Sequence, residues 1–293
     1  MEFLSYLING ITLGSVYAII ALGYTMVYGI AKMLNFAHGD VIMVGGYVSY
    51  FASVQYGLPS GIAILLAMLA CTLLGVLIER LAYRPLRQAE SLAVLITAIG
   101  VSFLLQNGAM LLFSANPKTP SSLVNIPWLS IRLGELTIPS ETVVTVVACI
   151  LIMVGLTVLT QKTKLGKAMR AVSEDKGAAQ LMGINVNRTI TATFAIGSAL
   201  AAIAGVLMCS TLPTLTPTTG SMPGIRAFTA AVFGGIGSIP GAFLGGILLG
   251  IIEALSKAYI SGELADAIVF AVLIIILLVK PAGLLGKQQR EKV

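Results

Sequence analysis

The sequence predicts an all-α, polytopic membrane protein of about eight transmembrane segments. Three observations carry that prediction. Of its 293 residues, 57% are hydrophobic and only 10% are charged, whereas a soluble domain carries roughly 25% charge. Mean hydropathy is +0.96. The apolar residues gather in long continuous runs, which read as helices; the strands of a membrane barrel would alternate. A soluble enzyme, a nucleic-acid binder and a secreted disulfide scaffold are excluded, because their surfaces must carry charge. Cys71, Cys149 and Cys209 lie inside apolar runs without CxxC spacing, so neither a disulfide framework nor cysteine metal ligation is expected. His38 is the only histidine, which rules out a histidine metal cluster. GxxxxGK[ST] and HExxH are absent, and no catalytic residue or cofactor is expected on this chain.

The first run, 5–29, has no basic stretch before it and reads as a first span, not a cleaved signal. Further full spans are expected at 40–56, 61–79, 92–113, 142–161, 190–211 and 265–279. The loop 114–141 holds Pro117, Pro120, Pro127 and Pro139, too many for a long helix, and its Trp128 suits a membrane interface. The region 225–257 is interrupted by Gly234-Gly235-Ile236-Gly237-Ser238-Ile239-Pro240-Gly241. Neither apolar half, 225–233 or 242–252, is long enough to cross at about 1.5 Å per residue. The whole of 1–293 reads as one transmembrane domain.

Basic residues orient it. Fourteen of the eighteen Lys and Arg fall around 30–39, 80–91, 162–188 and the tail 280–293; only Lys118, Arg132, Arg226 and Lys257 fall opposite. The positive-inside rule puts the fourteen-charge face in the cytoplasm, with the N-terminus outside and the C-terminus inside. Parity then requires 225–257 to begin and end outside, as a re-entrant hairpin or two short tilted spans. Most of the net charge of +6 is therefore topology, and charges are expected at span ends.

Four places are candidate sites. Leu34–Asp40 joins the first span to a short second one. If this junction dips into the membrane, Asn35 and His38 face a pathway; the simpler reading, not exclusive of the first, has Asp40 cap the second helix and His38 sit in an interfacial loop. At the glycine break, Gly234, Gly235 and Gly237 either let backbone approach a substrate or form a tight packing turn. A short echo, Val27-Tyr28-Gly29-Ile30 with Gly45-Gly46 against Val232-Phe233-Gly234-Gly235 with Gly245-Gly246, would fit an inverted repeat. Gln106 and Asn107 lie inside the fourth span, as pathway lining or as interhelical glue. In 162–188, apolar residues recur at helical spacing around Leu165–Val172 and Ala178–Met182. Ser173 with Glu174, Asp175 and Lys176 marks the cap and first turn of a second short helix, which Gly183 ends. Such a pair suits docking to a partner; the alternative is a basic loop on anionic lipid.

Three blocks, in order, resemble the permease subunits of branched-chain amino-acid ABC transporters: Leu34–Asp40, like an NFAHG block; Arg84-Pro85-Leu86-Arg87 with Thr97-Ala98-Ile99-Gly100; and Phe233–Ala242, like the family's glycine block. The resemblance runs nearly end to end. It implies a bacterial inner-membrane importer in which two permeases, often a non-identical pair, form the pathway. Two cytoplasmic ATPases carrying ATP and Mg would drive it, and a periplasmic binding protein would deliver the amino acid at loops 114–141 and 212–224. Ala178-Ala179-Gln180-Leu181-Met182-Gly183 would match the EAA-x3-G ATPase-coupling motif, with Gly177 in place of its Glu and Glu174 or Asp175 as substitutes. A urea or short-amide permease of the same family remains open. An ion-coupled secondary transporter or passive channel would need no docking helices.

Overall fold

The computed structural model describes residues 2–124, 126–133, 136–211 and 214–286. It is a helical membrane bundle. Its helices are α1 (Glu2–Ala31), α2 (His38–Tyr50), α3 (Ser60–Ile78), α4 (Ser91–Phe113), α5 (Ser140–Lys162), α6 (Lys164–Glu174), α7 (Lys176–Leu181), α8 (Val186–Thr211), α9 (Ser221–Gly234), α10 (Ile239–Tyr259) and α11 (Ala265–Val279). Both α2 and α3 run on into π-turns, at Phe51–Gln55 and Glu79–Tyr83. Six helices, α3 with its π-turn among them, are long and apolar enough to cross a membrane, and α11 is a shorter apolar one. Between α4 and α5 the described residues of the Pro-rich loop include a bridge from Lys118 to Leu215, a 3-10 turn at Pro127–Leu129 and a small hairpin, Ile131–Leu133 with Leu136–Ile138.

The glycine break falls where expected, but its two arms are unequal. The 14 residues of α9 reach about 21 Å, and the 21 of α10 about 31 Å, enough to cross a core of about 30 Å. The expectation that neither arm crosses is thus corrected for α10. Ser256, Lys257 and Tyr259 extend the helix beyond the apolar run, because polar residues at a span end can sit at the interface. The turn forms because Gly235 and Gly237 adopt φ of +106° and +94°, which side chains disfavour. Ser238 then caps α10, its Oγ accepting from Gly241 N at 3.2 Å.

The second span is corrected too. Lys32, at φ +57°, ends α1. Residues 32–37 then turn back into the bundle, and α2 begins at His38 against Gly23 and Gly197. Those glycines lie about 12 Å and 16 Å from the nearer ends of α1 and α8. So α2 is a half-helix starting at mid-depth. Likewise the chain after α8 descends past Leu215, which packs on Gly46, to Gly220 against Gly39. There α9 starts, also at mid-depth, and runs the opposite way.

Two halves of opposite orientation result: α1–α4 and α8–α11 each comprise a long helix, a returning segment, a half-helix and two further helices. Each half-helix packs on the long helix of the other half: α2 on α8 through Gly45 and Ala202, α9 on α1 through Phe228 and Tyr24. The long helices also take the following helix of the other half, with Gly14 against Gly246 and Gly250, and Gly75 against Ser198. The repeat therefore pairs the stretch after α1 with the stretch after α8. The short sequence echo between 27–46 and 232–246 had paired it otherwise. Glycine pairs recur wherever helices approach closely, so they mark contacts and not equivalent positions.

One end of the bundle collects the basic loops. Lys176 Nζ donates to Ala31 O at 3.1 Å, Arg87 bonds Asn187 and Glu79, and Leu284 N donates to Phe233 O at 2.9 Å. This basic end joins the last turns of α1 and α3, the first turn of α8, the pair α6–α7 and the segment after α11. The glycine break lies there as well. Of the basic tail, Lys287, Arg290 and Lys292 lie outside the described residues. The hairpin 221–259 starts at mid-depth, turns at the basic end and finishes at the far end, where Tyr259 meets Tyr6 edge-on, their ring centroids 5.8 Å apart. Then α11 returns to the basic end, as parity requires.

Candidate functional site: two half-helices meeting at mid-depth

The half-helices meet at their N-terminal ends. A methyl on Gly39 would lie 2.6 Å from Gly220 O and 3.3 Å from Gly224 Cα. Only glycine allows two backbones this close. Helix N-termini leave unpaired N–H groups and a partial positive charge, and here two such ends converge inside the bundle.

Four polar side chains surround the junction. Asn35 is buried, and its Oδ1 accepts from the Tyr83 hydroxyl at 3.0 Å. His38 is buried with its ring edge-on to Tyr24, centroids 4.7 Å apart, and its Nε2 without a hydrogen-bond partner. It fills the notch between Gly23 and Gly197, and is therefore no interfacial loop residue. Asp40 is 1% exposed, and α2 is entered at Ala37 with no side-chain cap. The capping role is thus corrected: the carboxylate is engaged across the helix interface, accepting from Gln106 Nε2 on α4 at 3.0 Å. Gln106 is half-buried on α4. Asn107 faces the exposed side of the same helix and donates only to Phe103 O in the preceding turn, at 2.8 Å.

The glycines of the break lie elsewhere, at the basic end. Gly234 O accepts from Leu285 N at 2.9 Å, Gly235 packs on Ala282 and Gly286, and Gly237 lies beside Gly29. Close packing against other backbone surrounds Gly234 and Gly235.

Charges do not all sit at span ends, as the sequence suggested. Arg226, counted there among the few basic residues of the outer face, is on α9. Its Nη1 donates to Glu253 at 2.9 Å and to the Tyr17 hydroxyl at 3.0 Å, and its Nη2 meets Asp266 at 2.6 Å. Lys257 Nζ reaches the same Glu253 oxygen at 2.6 Å. A buried carboxylate survives in lipid only when paired this way, and the network ties the half-helix to α1, α10 and α11. A residue scan misses it because Arg226, Glu253 and Asp266 are far apart in sequence.

At the basic end, α6 and α7 form the expected helix pair. Thr163 caps α6, accepting from Gly166 N at 3.0 Å. Asp175 caps α7, accepting from Ala178 N at 3.0 Å. The second cap was expected to begin at Ser173, but Asp175 makes it, and the Ser173 hydroxyl donates back to Arg170 O. Glu174 closes α6 and is exposed, as is Ala178. Ala179 is buried and holds α7 to the bundle, while Leu181 and Met182 are 90% and 82% exposed. Gly183, at φ +80°, ends the pair. Burial, and then repulsion by Arg87 and Lys32, pulls the Lys176 ammonium below the usual lysine range. A cavity of about 1620 Å³ separates α6–α7 from the glycine break, lined among others by Thr160, Arg170, Lys176, Ile236 and Pro240. Among the described residues no group of three His, Cys, Asp or Glu could hold a metal ion.

Residues 6–277 match the family model described as branched-chain amino acid transport system / permease component. Over its full length the chain is 46% identical to 98% of the high-affinity branched-chain amino acid transport system permease protein LivH of Escherichia coli K12. It is 44% identical, again with 98% of the relative covered, to the corresponding permease protein BraD of Pseudomonas aeruginosa. The solved structure of PsaBC from Streptococcus pneumoniae in complex with Fab aligns over 96% of this chain and 93% of that one, with a TM-score of 0.50 at 16% identity; this likeness concerns the fold alone. With half-helices meeting inside a bundle and end-to-end similarity to such permeases, the chain belongs to the branched-chain amino acid transport permease family.

Proposed function

We propose that this chain is the membrane-spanning subunit of an ATP-driven importer that carries branched-chain amino acids across a bacterial inner membrane. The observation that carries the reading is the 46% identity over the whole chain to a permease named for that cargo. The chain pairs with a second, homologous permease. Two ATPase subunits bind ATP and Mg and grip the basic, cytoplasmic end, and a periplasmic binding protein docks on the opposite face, at 114–141 and 212–224. The N-terminus is outside and the C-terminus inside, as fourteen of eighteen basic residues favour.

ATPase closure presses on α6–α7, whose exposed Leu181 and Met182 offer an apolar grip to a partner. The cavity between this pair and the glycine break leaves the pair room to move as a rigid body. Such movement would pass to α9 and so to the mid-depth junction, where Asn35, His38 and Gln106 are pathway candidates, with Gly234, Gly235 and Gly237 at the hinge; Asn107, on the outward side of α4, is a candidate only for a pathway shared with the second permease. Glu174, Asp175, Ala178, Ala179 and Gly183 shape the coupling pair.

The test is uptake of radiolabelled leucine into proteoliposomes, with and without the ATPase and second permease. ATP-dependent uptake only in the full assembly is expected. Uptake by this chain alone would point to a passive or ion-coupled carrier, and uptake of urea but not leucine would move the cargo to short amides.

A further inference from the structure

The α4–α9 seam holds an arrangement that helix packing does not require. Gln106 Nε2 lies 3.0 Å from Asp40 Oδ1, 3.1 Å from Ser102 Oγ and 3.2 Å from Ser221 Oγ. An amide nitrogen has two N–H donors, so it can serve only two of these three oxygens. An ammonium has three donors and a positive charge. Asp40 is buried, yet none of the ion pairs among the described residues includes it. An unpaired carboxylate inside a membrane is costly and marks a functional position.

The three oxygens come from three elements: α2, α4 and α9. They gather at mid-depth, where the half-helices meet. Ser102, Gln106 and Ser221 are only half-buried, and around them Phe103, Met110, Met222 and Ile225 are exposed. A small polar site thus opens on an apolar wall of the protomer, which suits a solute with one ammonium and an aliphatic side chain.

We propose that Asp40, Ser102 and Ser221 form a transit site for the α-ammonium group of a passing amino acid, and that the Gln106 amide is a placeholder that swings aside for it. The flexible Gln106 side chain keeps the carboxylate hydrogen-bonded while no solute is present. The site therefore need not stand empty in lipid. This inference rests on the reading of the chain as an amino-acid permease. A lysine of the second permease would also supply an ammonium, and the experiment separates the two.

The test measures direct binding to the assembled permease–ATPase complex in nanodiscs, without binding protein, by isothermal titration. Three probes are used: L-leucine, leucinol (ammonium without carboxylate) and 4-methylpentanoate (carboxylate without ammonium). Leucine and leucinol are expected to bind, and 4-methylpentanoate is not. Asp40→Asn should weaken leucinol at least about tenfold, as befits a lost charge-assisted hydrogen bond. Ser102→Ala and Ser221→Ala should each weaken it about threefold to tenfold, and these variants keep the test open if the Asp40 variant misfolds. Gln106→Ala should bind leucinol as well as the wild type or better, because it removes the competitor. Leucinol binding that ignores Asp40, or that Gln106→Ala weakens as much as Asp40→Asn does, overturns the proposal. So does absence of leucinol binding from the wild-type assembly, the result expected if a partner lysine fills the site. Loss of leucine uptake by the wild-type importer would instead overturn the amino-acid reading itself.

Discussion

Removing the charge of Arg226 should destabilise the bundle more than removing that of Glu253, and the two effects should not add. Arg226→Met strips Asp266 of its 2.6 Å cation and takes one donor from Glu253 and one from Tyr17. Glu253 keeps Lys257 and the Tyr17 hydroxyl, at 2.6 Å and 2.9 Å, so the loss is about 3 kcal/mol, the lower end for breaking a buried pair. Glu253→Gln leaves Arg226 on Asp266, and Lys257, whose side chain is 45% exposed, can turn to solvent. That loss is about 1–2 kcal/mol. In the double variant the broken pair is counted once, giving a coupling of about 1–2 kcal/mol. Denaturant-dependent unfolding of the purified complex, followed by Trp128 fluorescence and circular dichroism, supplies the four corners of the cycle. Strict additivity would refute the claim that these side chains act as one network.

Other outcomes follow from the same contacts. Gly39→Ala puts a methyl 2.6 Å from Gly220 O, with only backbone to yield, and should cost about 1–3 kcal/mol with a matching fall in Tm and in transport. Leu181→Asp, at a 90% exposed position, should leave the Tm of the isolated chain unchanged and abolish ATPase co-purification; undiminished assembly would remove α7 from the coupling surface. The thiols of Cys71, Cys149 and Cys209 are all buried. They should resist a membrane-permeant maleimide in the native state and react fully in detergent denaturant, as mass spectrometry can read.

Much of this architecture is legible from the sequence, because lipid forces a simple pattern on it. Helices must satisfy their own backbone, so apolar length alone locates α1, α3, α4, α5 and α8. The helix pair of 162–188 is equally visible, since polar caps such as Thr163 and Asp175 act on their own neighbours in the chain. The depth of an element is different. The run 40–56 has the composition of a short span, and nothing in it states that α2 begins halfway across the bundle. That depth comes from contacts of His38 with Gly23 and Gly197 and of Gly39 with Gly220, each between segments far apart in the chain.

The candidate site divides in the same way. Asn35, His38, Gln106 and Asn107 draw notice as polar residues in apolar surroundings. The structure separates them: Gln106 meets Asp40, Asn35 meets Tyr83, and Asn107 bonds only within its own helix. By itself the sequence determined a helical membrane protein, its two charge-marked faces and the position of the Gly235 turn, because hydropathy, charge and glycine act locally. Only the tertiary structure decided that two half-helices meet at Gly39 and Gly220, and that Asp40, Ser102 and Ser221 converge on one nitrogen. Those arrangements depend on backbone close approach and hydrogen bonding between distant segments, which local pattern does not encode.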